Sequence, residues 1–147
     1  MSRELLIATA FVAGLSSVAA VAQNNVIAER QQLMKQNLQA NRTMTNMLKG
    51  TEPFDLAKVQ ATLKGFATDY HKLPGLFPPG SETGGETRAL PKIWAEKAKF
   101  DQVNADFEKA VSVASAAIKD EASFKVEFPK VVANCDTCHD AYRAPRR

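Results

Sequence analysis

This chain has little of what most active sites are built from. Its 147 residues hold two cysteines, two histidines and one tryptophan. A structural zinc site needs four nitrogen or sulfur ligands, and outside the group Cys135, Cys138 and His139 only His71 is left to supply one. No segment alternates apolar and polar residues as a half-buried strand does. The strand–turn–helix setting of a thioredoxin-like cysteine pair is therefore missing as well. Nor is there an internal repeat of solenoid length. Charge of one sign is also scarce: 19 basic against 16 acidic residues leave a formal net charge of +3. That makes no patch for nucleic acid and gives only a slight bias toward an acidic partner. The length suits one domain and not two.

What is present begins with a leader. Arg3 precedes an apolar run from Leu5 to Val21, and Ala20-Val21-Ala22 before Gln23 has the small-residue pattern of a cleavage site. We expect a secretory signal peptide over residues 1–22 and one mature domain over 23–147. Cleavage leaves 125 residues and the same +3 charge, because the leader contains one Arg and one Glu. Glu4 cancels Arg3 and thins the basic end, so an uncleaved anchor is the competing reading; the run is barely long enough to span a bilayer.

The mature chain reads as helices. A first one is expected from Asn24 or Asn25 to Lys49, stopped by Gly50, with Ile27, Met34, Leu38, Met44 and Leu48 at helical spacing. A second starts at the N-cap Asp55 and carries the stripe Leu56, Val59, Leu63, Phe66 and Tyr70, ending near Lys72 before Pro74-Gly75. Residues 73–90, with three prolines and four glycines, read as a long irregular crossover rather than as a site. A third helix is expected from Pro91 to Lys119, burying Phe100, Val103, Phe107, Val111, Ala114 and Ile118. Asp120 caps a short stretch holding Phe124. Pro129 should break or restart the helix, so the last one spans Pro129 to Arg143 with Val132, Cys135, Cys138, His139 and Tyr142. This pattern describes an all-α four-helix bundle.

Near the end stands Cys135-Asp136-Thr137-Cys138-His139. C-x-x-C-H is the attachment signature of a c-type haem. On a helix, positions i and i+3 are neighbours, so both thiols reach the vinyl groups of one porphyrin; i and i+4 are neighbours too, so His139 lies beside Cys135 with its ring free to meet the iron. These are the only cysteines, and both are used. Haem c is joined to its protein outside the bacterial cytoplasm, which agrees with the leader and places the protein in the periplasm. Two haem propionates bring the +3 charge near neutrality.

The residue opposite the iron decides the chemistry. Met34 stands one helical turn after Arg30, so a thioether and a propionate-binding guanidinium come from the same face; from spacing alone, ordinary core packing is the stronger reading of Met34. Met44 and Met47 read as packing residues and His71 as a solvated histidine at a helix end. Arg143, one turn past His139, is either a neighbour of the proximal imidazole or part of a solvated tail. Trp94 is either a haem neighbour or a core residue at a helix start. Gly65 marks a close helix contact within the chain or between two chains, and the sequence does not choose.

Taken together, Ile27 and Arg30 with Leu33-Met34-Lys35, Leu48-Lys49-Gly50, Leu76-Phe77-Pro78, Pro91-Lys92-Ile93-Trp94, Lys99-Phe100, Ile118-Lys119-Asp120 and the C-terminal C-x-x-C-H with Tyr142-Arg143 resemble the class II c-type cytochromes, the cytochrome c prime family. The resemblance covers essentially all of the mature chain. It implies an up-down-up-down bundle, covalent haem on the C-terminal helix, proximal ligation by His139, and often a homodimer through the first two helices. It also implies one of two types. Low-spin members place a methionine of the first helix on the iron and carry electrons; high-spin members leave that site open and bind nitric oxide or carbon monoxide. The matching distal position, four residues on from the matching Arg30, is Met34, which the resemblance raises to favoured second ligand; Trp94 and Arg143 gain as haem neighbours.

The expectation is thus a periplasmic carrier of single electrons with His139/Met34 ligation and redox proteins as partners, methionine raising the potential relative to two histidines. A five-coordinate gas-binding protein is the alternative. Peroxide chemistry wants a polar distal acid–base group, and the first helix offers no histidine, so no enzyme is expected.

Overall fold

A computed structural model describes the backbone of residues 7–145 and the side chains from Asn25 onward. The side chains of the expected leader, 1–22, lie outside the described residues. Among the described residues five helices follow in order: α1 (Ile7–Leu48), α2 (Leu56–Lys72), the single turn α3 (Lys92–Ala95), α4 (Lys97–Ala117) and α5 (Glu121–Tyr142), with a 3-10 turn at Leu73–Leu76. Four long helices form the bundle. Among the described residues no helix is long and apolar enough to cross a membrane.

The local signals act as their chemistry requires. α1 ends where Gly50 takes φ 71°, a left-handed conformation that glycine enters at little cost. The Asp55 carboxylate accepts from the Lys58 amide at 2.9 Å and starts α2. Asp120 and Ser123 satisfy each other's amides in a capping box that starts α5. Buried Val59, Leu63, Phe66 and Tyr70 of α2 meet Phe100, Phe107, Val111 and Ala114 of α4, and Phe124, Phe128 and Val131 of α5 complete the core.

Four expectations need correction. α1 extends N-terminally of Asn24, because no proline interrupts the chain there. The stretch from Pro91 to Lys119 is two helices: Glu96, at φ −124° and ψ 41°, separates α3 from α4, and Ile118 is already extended. Pro129 does not break the last helix, which runs unbroken from Glu121 to Tyr142. Phe124, Phe128 and Val131 flank the proline on one fully buried face, and that burial outweighs one missing amide donor. Leu38 is 43% exposed rather than core, while Leu33 is buried and Met44 and Met47 are buried as expected.

α4 packs along both α2 and α5, whereas α1 touches α5 only sparsely. Gly65 is exposed, and no atom lies within 4 Å of where its Cβ would stand, so no close helix contact within the chain accounts for it.

Candidate functional site

The sparse joint between α1 and α5 is a cavity of about 350 Å³. Cys138, His139, Tyr142 and Arg143 line it from α5; Arg30, Gln31, Met34 and Lys35 line it from α1, and Leu73, Phe77, Ile93 and Phe100 give it apolar walls. Cys135, one turn before Cys138, is half-buried against the core. His139 and Met34 therefore line one pocket, from α5 and α1 respectively. His71, by contrast, is exposed at the end of α2.

The environment tunes these groups. Burial, then the Arg143 charge and more weakly Arg88, lower the basicity of the His139 imidazole, against the opposing effects of Asp136 and Asp140. The neutral ring is the form that binds a metal. Burial raises the Cys135 thiol, and burial with neighbouring Cys135 pushes Cys138 up to about 11. Both thiols are thus protonated at neutral pH.

Two candidate residues face the crossover more than expected. Arg30, 5% exposed, donates to the carbonyls of Leu76 (3.2 Å) and Ser81 (2.7 Å) and to the hydroxyls of Ser81 and Thr87 (both 3.2 Å). Its guanidinium also lies 4.7 Å from the Phe77 ring centre and 5.6 Å from that of Trp94. Trp94 donates through Nε1 to the Pro78 carbonyl at 3.0 Å and is not among the residues lining the cavity. Arg143 does line it.

The crossover, which the sequence reads as a mere connection, supplies Glu86, Thr87, Arg88 and Ala89 to the cavity. Residues 88–90 run antiparallel to 142–144 through Leu90 N–H to Tyr142 O (3.0 Å) and Ala144 N–H to Arg88 O (2.8 Å). No local pattern announces this pairing; only the alternation of prolines and glycines marks the segment as irregular.

The donor set fits a covalently held haem. Two thiols share one helix face, the imidazole that follows opens into an apolar slot, and cationic side chains stand at its rim. It does not fit a bare ion: among the described residues no three His, Cys, Asp or Glu side chains are grouped to hold one.

Comparison with known proteins agrees. The family model described as Cytochrome C' matches residues 25–143. The chain belongs to the cytochrome c' family. A cytochrome c' of Rhodopseudomonas palustris is 49% identical over 132 residues, 90% of each chain. A cytochrome c-556 of the same organism is 37% identical over 147 residues, 97% of each. The solved structure of the R. palustris cytochrome c' matches with a TM-score of 0.80 at 48% identity, covering 83% of this chain and 98% of its own. As a member of the cytochrome c' family the chain is a c-type cytochrome with covalent haem c, and Cys135 and Cys138 form its C-x-x-C-H site. The family comprises electron carriers and gas-binding haem proteins rather than classical enzymes.

Proposed function

We propose that this c-type cytochrome is of the gas-binding type. Cys135 and Cys138 hold the haem, His139 is its one fixed axial ligand, and Met34 walls an apolar distal pocket that admits nitric oxide or carbon monoxide. The observation that carries the reading is the balance of similarity, 49% identity to a cytochrome c' against 37% to a cytochrome c-556. It moves the weight away from the Met34 ligation expected from the sequence. The cavity itself is compatible: Met34 shares its wall with Leu73, Phe77 and Phe100, side chains that offer a small neutral ligand no competing polar group. The attached haem supplies an iron site for a diatomic gas and for one-electron exchange. The chain's residues supply orientation, exclusion of water, and a neutral imidazole.

A second reading rests on Met34 as a residue. Met34 lines the pocket from α1 and His139 lines it from α5, which supports the arrangement that a six-coordinate electron carrier requires. In that case redox proteins are the partners. Either way the leader over residues 1–22 delivers the chain to the periplasm, and no catalytic acid, base or nucleophile is assigned.

The absorption and EPR spectra of the holoprotein separate the two. High-spin signals in both oxidation states, with carbon monoxide binding to the ferrous form, are expected. Low-spin signals in both states that turn high-spin in Met34→Ala would overturn the gas-binding reading and establish the electron carrier.

A further inference from the structure

α1 and α5 carry Met34 and His139, which line the same cavity, yet the helices themselves barely touch. What joins them is the crossover. On the α1 side, Arg30 Nη2 donates to Thr87 Oγ1 at 3.2 Å, and the same oxygen accepts from the Ala89 amide at 3.2 Å. On the α5 side, the backbone pairs of Leu90 with Tyr142 and Ala144 with Arg88 bind residues 88–90 to the end of the haem helix. Arg88 then turns its own guanidinium onto that segment, Nε and Nη2 both donating to the Ala144 carbonyl. The Arg143 amide donates back to the His139 carbonyl at 3.0 Å. Hydrogen bonds and the short backbone between them thus connect the α1 turn before Met34 to the α5 turn that carries His139.

The backbone part of this link is small, an isolated bridge between Ala89 and Arg143. A lone pairing of two short segments is marginal in water. The doubled, charge-assisted bond from Arg88 adds strength that the bridge lacks. We infer that residues 87–90 are a strap that sets the gap between α1 and α5, and that Arg88 is the positioning residue that locks it. A tight strap holds Met34 over the distal face; a loosened one lets that turn of α1 draw back and opens the pocket to the entering gas. The inference rests on the reading of Met34 as the distal wall, and the test keeps the two apart.

The test measures the rate of carbon monoxide binding to the ferrous holoprotein by stopped flow. Arg88→Met keeps the aliphatic stem and removes both donors to Ala144; Thr87→Val, made together with Gln31→Ala because Gln31 Nε2 also donates to the Glu86 carbonyl at 3.0 Å, cuts the strap at its other joint and changes no charge. Each is expected to speed binding about fivefold, the population shift that losing one net hydrogen bond of ordinary strength allows, and Met34→Ala to speed it as well. Acceleration in Met34→Ala with none in either strap variant overturns the strap alone. Acceleration in Arg88→Met but not in the double variant assigns the effect to the arginine charge and also overturns it. No acceleration in Met34→Ala overturns the distal-wall reading beneath it. If Arg88→Met fails to hold haem, the double variant decides by the same criterion.

Discussion

On the side of the bundle where α2, α4 and α5 meet, the helices are joined by rings. Tyr70 stacks on Phe107 at 3.7 Å, Phe66 meets the same ring at 6.1 Å and 65°, and Phe124 lies between Phe54 and Phe128 at 5.6 and 5.3 Å. Between α1 and α5 there are instead a cavity, lined by Cys138 and His139, and a short run of hydrogen bonds through the crossover. The first side is stabilised by burial, which the chain supplies unaided. The second is left open by the polypeptide, and its closure depends on what is attached there. Function sits where packing has been withheld.

The largest test of that contrast removes the attachment. Cys135→Ala with Cys138→Ala should leave no haem bound through acid–acetone extraction, and hydrogen exchange should show α1 losing protection while α4 and the first half of α5 keep theirs. Equal loss everywhere would mean that the two sides are one cooperative unit. A smaller effect, of opposite placement, is expected from Phe107→Ala: about 3–5 kcal/mol of stability lost in urea unfolding, whether or not haem is attached. A cost under about 1 kcal/mol would deny that the ring stack supports the packed side.

The smallest effect concerns Asp120 at the start of α5. Its hydrogen bonds to Ser123 hold the carboxyl below its usual pKa. A depressed carboxylate stabilises the fold above its unfolded pKa of about 3.9, and the contribution fades as pH falls through the lowered value. Asp120→Ala should therefore melt a few degrees below the wild type near pH 6, with the difference vanishing in strong acid. A difference that persists there would trace to something other than the charge.

The packed side was largely legible in the sequence, because its signals are local: the Asp55 cap, the Gly50 stop, and the stripe from Val59 to Tyr70 all act within a turn or two of themselves. The errors came where a local rule met tertiary packing, as at Pro129. They also came where a helix start that looked continuous was bent at Glu96. The site was legible only in part. C-x-x-C-H announced its cofactor, and helical spacing brought Arg30 and Met34 to one face, but nothing in residues 73–90 revealed that the carbonyls of Leu76 and Ser81 would receive the Arg30 guanidinium. An irregular loop advertises its flexibility in composition and conceals its partners.

The proline retained within α5 has a mechanical meaning. Pro129 has no N–H to give the Lys125 carbonyl, so α5 lacks one backbone bond at a point that Phe124 and Phe128 on one side and Val131 on the other clamp into the core, ahead of the turn that carries Cys135 and Cys138. It is a beam with a seam bolted on both sides: there burial, not the backbone ladder, keeps it straight.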